Sequence, residues 1–164
     1  MRAAPAQRAG LVVCTASLVC ALALAGAPVA GLSQAGAASA RAARTISLNE
    51  TGRLHLTSKK GFTLNEVGAA TGTIKGKIYL HLKIVSTKHV TAEVNIYPSG
   101  GSLTGSASAG YQVRGGTASF DGTMSVTRGS GGYRSARASG LGFAGTISRD
   151  NDAVTVHLTG SLSV

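Results

Sequence analysis

Tryptophan is absent, cysteine occurs twice and acidic residues only six times among the 164 residues. Both cysteines, Cys14 and Cys20, lie in what reads as an export leader. Past it, neither a disulfide framework nor a cysteine-ligated metal can form. The histidines His55, His81, His89 and His157 have no metal-ligand spacing such as H-x-x-x-H, so neither a metal nor another cofactor is expected. Aromatic residues make up 4% of the chain, too few for base-stacking platforms, which argues against nucleic acid as a partner. Nothing reads as a long helix, and 23 glycines penalise one.

The first ten residues carry Arg2 and Arg8 and no acid, and Leu11 to Leu32 is uncharged and largely apolar. A positive start, an apolar run and small residues before a break mark a secretory signal. Ala38-Ser39-Ala40 offers cleavage after Ala40, with Arg41 as the mature start, and Pro28-Val29-Ala30 offers it after Ala30. The competing reading is an uncleaved anchor, since about 20 apolar residues span a bilayer. Pro28 and the many alanines and glycines weaken it. The expected organisation is a leader with a small-residue linker over 1–40 and one domain over 41–164, secreted to the exterior.

From Arg41 onward, 14 Lys and Arg face 6 Asp and Glu, a net charge of +8. Such a surface favours acidic partners, for example anionic cell-wall polymers or polysaccharide. The charges are nevertheless scattered, with Lys59-Lys60, Lys75-Lys77 and Arg134-Arg137 the densest groups. Scattered charge of this kind is also what an ordinary solvated surface carries.

Alternation of apolar and polar residues governs the rest. Ile74, Ile78, Leu80, Leu82 and Ile84 are interleaved with Lys75, Lys77, Tyr79, His81 and Lys83, and Val90 to Tyr97 repeats the rule. This period of two puts one face in a core and the other in water, as antiparallel strands do. Strands are expected at Thr45–Thr57, Phe62–Glu66, Ala70–Ser86, His89–Tyr97, Ser102–Val113, Thr117–Thr127, Leu141–Arg149 and Ala153–Val164, separated by turn signals. Gly105, Gly122, Gly145 and Gly160 fall in phase with the apolar residues, which suits a strongly bent sheet. The fold class is therefore all-β, a single antiparallel eight-stranded closed barrel, with a β-sandwich as the alternative.

Gly129 to Arg137, in the stretch VTRGSGGYRSARASGLGFAGTI, raises the question of a phosphate-binding loop. Phosphate loops precede a helix, and only about five residues here could be helical before Gly140 restarts a strand. The segment reads as a connector. It resembles the glycine-rich stretch that bridges two strands in the allene oxide cyclase–dirigent superfamily, through Gly129, Gly131 or Gly132, Tyr133, Ala136 and Gly140. Ser135 stands where that family often has glycine. The resemblance covers roughly the last half of the chain and implies an eight-stranded antiparallel barrel. It also implies polar groups inside the barrel that position a reactive apolar substrate, and none of those can be carried over residue by residue.

Among the acids, Glu50 alone falls in register with Ile46, Leu48, Leu54 and Leu56, although Thr51-Gly52 suggests a bulge that resets the phase. A carboxyl facing a barrel lumen gains a raised pKa and can serve as acid or base, which makes Glu50 the catalytic candidate. Tyr111, Tyr133, Arg134 and Arg137 are the ligand-binding candidates. Two functions follow. One is a secreted or cell-surface barrel with a non-catalytic binding or assembly role, self-assembly into a homo-oligomer included. The other is a cyclase- or dirigent-like isomerase, or a carrier of a small apolar ligand held in the lumen.

Overall fold

A computed structural model describes residues 44–164. The leader, its cleavage points, the anchor alternative and Cys14 and Cys20 lie outside the described residues. Eight strands follow one another as β1 (Thr45–Lys60), β2 (Thr63–Gly72), β3 (Gly76–Ser86), β4 (His89–Pro98), β5 (Gly101–Arg114), β6 (Thr117–Gly131), β7 (Ala138–Ser148) and β8 (Val154–Ser163). Each strand pairs antiparallel with the next. β8 returns to β1 from Thr45↔Ser163 to Leu54↔Val154, which closes the barrel. Closure leaves the sheet without a free edge strand.

Inward-facing residues are those the period of two selects. Ile78, Leu80 and Leu82 of β3 are buried while Lys77, Tyr79, His81 and Lys83 between them are exposed. The lumen is filled rather than hollow. Phe120 and Phe143 stack at its middle, with ring centroids 4.9 Å apart and planes inclined by 27°. Phe120 also lies on Gly145, where an added Cβ would come 2.5 Å from the ring's Cζ. Glycine there makes room for a ring that a narrow barrel otherwise could not hold.

Two expected strand limits are corrected. β2 does not end at Glu66 but continues to Gly72, and the expected strand from Ala70 to Ser86 is broken by a turn between Gly72 and Gly76. The run Val67-Gly68-Ala69-Ala70 looks like a break because it lacks bulk. It is instead where β1 and β2 approach so closely that a Cβ at Gly68 would strike the carbonyl of Arg53. The bulge expected at Thr51-Gly52 is also corrected. The alternation of β1 runs unbroken from Leu48 to Leu54, and the register shift falls between Leu56 and Ser58.

Candidate functional site

The hairpin turns at Gly61, Thr87, Gly115 and Asn151 share one end of the barrel, here called the mouth. The start of β1, the finish of β8 and the connector after β6 lie at the other. That other end is plugged. Ala136 and Leu162 are fully buried and Ile74 nearly so, while Tyr133 packs against the same cluster. The connector Gly132–Ser135 is a succession of turns, with Ala136 N–H donating to Tyr133 O at 2.9 Å. No helix N-terminus faces an anion there.

The mouth is open and apolar. A cavity of about 290 Å³ is floored by Leu64, Ala118 and Ile147 and rimmed by Lys59, Phe62, Tyr111, Arg149 and Asp152. Beside it lies a second hollow of about 580 Å³ between Phe62, Ile84, Val85, Tyr111 and Val113. Phe62, Val85 and Val113 are 75%, 54% and 47% exposed, a cluster of large apolar side chains that a soluble surface rarely gathers at one place.

The rim chemistry follows from a bulge. Before Leu56 the even-numbered residues of β1 face inward, but the shift pairs Lys59 with inward-facing Leu64. One extra residue in a strand turns the following side chains to the opposite face. Lys59 thus swings over the mouth, and its Nζ donates to Asp152 Oδ2 at 2.7 Å. Asp152 sits in the β7–β8 turn with φ of 54°, a left-handed conformation that Asp and Asn tolerate best among side-chain-bearing residues.

Two carboxyls are buried in the lumen, Glu50 at 1% and Glu66 at 2% exposure. Glu50 belongs to the plugged end. Its Oε1 accepts from the backbone N–H of Ile74, and Oε2 has no partner. Burial raises its pKa, opposed by the backbone N–H groups of Ile74 and Thr73. Glu66 belongs to the mouth side, one inward position beyond Leu64 on β2. Neither of its oxygens has a hydrogen-bond partner. Burial, and secondarily the charge of Asp152, pushes its pKa up to about 7. Glu66 is paired across the sheet with Leu56, six residues along β1 from Glu50, so about 20 Å of strand separates the two levels and they form no dyad.

Of the candidate residues, Glu50 and Tyr111 line the interior, but at opposite ends. Tyr133, Arg134 and Arg137 lie on the connector at the plugged end, away from Tyr111. Arg134 and Arg137 are exposed, and the Arg137 guanidinium donates to the carbonyl of Ala136 at 2.7 Å. The five do not assemble into one site. Sequence reasoning passed over Glu66, Lys59 and Asp152. The shared parity of Leu64 and Glu66 could have found the first. All four histidines stand on the outer side: His157 reaches Thr51 Oγ1 at 3.1 Å, His89 reaches Ser108 Oγ at 3.3 Å, and His81 contacts Asn65.

Residues 44–164 thus form an eight-stranded antiparallel barrel with a filled interior, one plugged end and one open apolar mouth. No family model, no curated protein and no solved structure matches the chain.

Proposed function

We propose that the protein is an exported, non-catalytic binding barrel that takes a small apolar ligand at its mouth rather than deep in its lumen. The observation that carries this reading is the gathering of exposed Phe62, Val85 and Val113 around hollows that share Ile84 and Tyr111 with the core. Concave apolar surface with a few polar groups at its rim is the general form of a small-molecule site. A lumen filled by Phe120, Phe143 and aliphatic side chains supports seating at the mouth. The export leader supports action outside the cytoplasm. Membership of the allene oxide cyclase–dirigent superfamily is part of the same proposal, supported by the connector at Gly129–Gly140 between two barrel strands.

Titration with a neutral naphthalene dye whose fluorescence rises in apolar surroundings tests it. Saturation at one dye per chain is expected, and Phe62→Asp should abolish it without unfolding the barrel, because Phe62 stands on an exposed turn. The absence of saturable binding, or binding indifferent to Phe62→Asp, overturns the reading.

A second reading concerns the outer face of β3, where Lys77, Tyr79, His81 and Lys83 project in one exposed row. Lys77 Nζ lies 5.0 Å from the centre of the Tyr79 ring, and Tyr79 meets Tyr97 edge-to-face at 5.5 Å. Aromatic rings beside lysines suit an anionic polysaccharide, whose binding would weaken steeply with added salt.

A further inference from the structure

We infer that the mouth end of the barrel is a docking surface for an anionic lipid bilayer. The inference does not rest on the mouth-binding reading: a small ligand needs the hollow between the turns, a bilayer needs the turns themselves. Five large apolar side chains are exposed among the described residues. Two of them, Tyr79 and Tyr97, pair on the outer wall of β3 and β4. The other three, Phe62, Val85 and Val113, stand at the mouth, each beside a different hairpin turn. Charge follows the same division. Phe62 is accompanied by exposed Lys59 and Lys60 in segment 59–62, Val85 by exposed Lys88 in 85–88, and Val113 by exposed Arg114 in 113–116. The fourth turn, 149–153, has no large apolar side chain and carries Arg149 with both of the mouth's acids, Asp150 and Asp152. Five cations against two acids leave the four segments at +3, and Asp152 is already paired with Lys59.

An apolar side chain on a turn beside a cation suits a lipid–water boundary. The apolar group enters the acyl region while the amine or guanidinium stays among the phosphates of the headgroups. Each Lys or Arg held at an anionic leaflet adds its own attraction. The depth is limited, because backbone N–H and C=O groups of a turn are costly to bring into hydrocarbon. Side chains therefore enter, and the turns rest at the headgroups. Three tips set around a hollow offer no flat matching face to a folded partner, and a fluid bilayer needs none. The fourth turn, with its two acids, gains least from an anionic surface, so the β1–β2, β3–β4 and β5–β6 turns lead.

The test uses the barrel over 41–164, because the apolar run of the leader would bind lipid by itself, and residues 44–164 close their own sheet around their own core. In vesicle flotation it should bind an equal mixture of phosphatidylcholine and phosphatidylglycerol at least about tenfold more tightly than phosphatidylcholine alone, and added salt should weaken the binding. Phe62→Asp and Lys88→Gln, both at exposed turn positions, should each reduce partition to the mixed vesicles several-fold. Orientation is read separately. Residues 41–164 contain no cysteine, so Val113→Cys and Ser135→Cys each accept one nitrobenzoxadiazole label. On docking, the label at 113 should shift to the blue, and the label at 135, on the exposed connector of the plugged end, should not. No preference for the mixed vesicles, binding indifferent to both substitutions, or a blue shift at 135 instead of 113 overturns the inference. Saturable dye binding without vesicle binding does the same and leaves the mouth-binding reading standing. Vesicle binding by the mouth without saturable dye binding upholds the inference and overturns that reading alone.

Discussion

Lys59 and Asp152 meet at 2.7 Å across the barrel mouth, tying the end of β1 to the β7–β8 turn. Their side chains are 48% and 23% exposed. Water competes for both, so the pair contributes to stability only weakly, within about 1 kcal/mol. Its larger effect is electrostatic and reaches Glu66. Asp152→Asn, which keeps the left-handed turn tolerable, should cost little stability and lower the pKa of Glu66. Carboxyl carbon chemical shifts followed against pH in both proteins would read this. An unchanged Glu66 titration would show that Asp152 does not act on it.

The barrel should lose stability as pH rises from about 4.5 to about 7. An ordinary glutamate has a pKa of 4.5, and Glu66 in the fold has one of about 7. Between these values the folded state holds a proton that the unfolded state has released, so stability falls as pH climbs and levels off above. The loss is on the order of 3 kcal/mol, with Glu50 acting in the same direction. Urea unfolding midpoints between pH 4.5 and 8 would measure it, and Glu66→Gln should flatten the curve and stabilise the protein at the alkaline end.

Glu50 illustrates how far the sequence was legible. Its parity with Leu48 and Leu54 marked it as inward, yet the glycine two residues on suggested a bulge that is not there. Glycine at 52 is instead packing, since an added Cβ would meet Val156 Cγ1 at 2.8 Å. Alternation over β3 to β6 and the turns at Gly100 and Gly115 were readable because each rests on neighbours in the chain. The closed barrel was expected, but the register of β8 on β1, the bulge that turns Lys59 inward and the convergence of Asp152 on Glu66 depend on pairing between distant segments. No local pattern encodes that register. Glu66 lay between: the expected strand Phe62–Glu66 carried it in parity with Leu64, but the run of small residues after it hid how far that strand continues.

Glu50→Gln should be tolerated and Glu50→Ala should not. Gln keeps an acceptor for the Ile74 N–H, closes the β2–β3 turn as Glu does and loses only a titrating group. Ala leaves a buried N–H without a partner, a loss of about 1–3 kcal/mol. Thermal unfolding of the two variants at mildly acidic pH separates them, and equal midpoints would dismiss the turn-closing role.

Gly145 and Phe143 should fail in opposite ways. Phe143 is fully buried and stacks on Phe120, so Phe143→Ala opens a cavity mid-barrel and should cost about 3–5 kcal/mol. Gly145→Ala adds matter where none fits, against Phe120 Cζ on one side and the carbonyl of Thr155 on the other. The carbonyl belongs to the neighbouring strand and cannot rotate away, so the ladder itself must shift, at about 1–3 kcal/mol or more. If the Phe120 ring is the main obstacle, Phe120→Leu should relieve part of the Gly145→Ala cost. The double variant would then be more stable than the sum of the single losses allows. Urea denaturation of the four proteins measures that coupling, and strict additivity would place the obstruction wholly at the backbone.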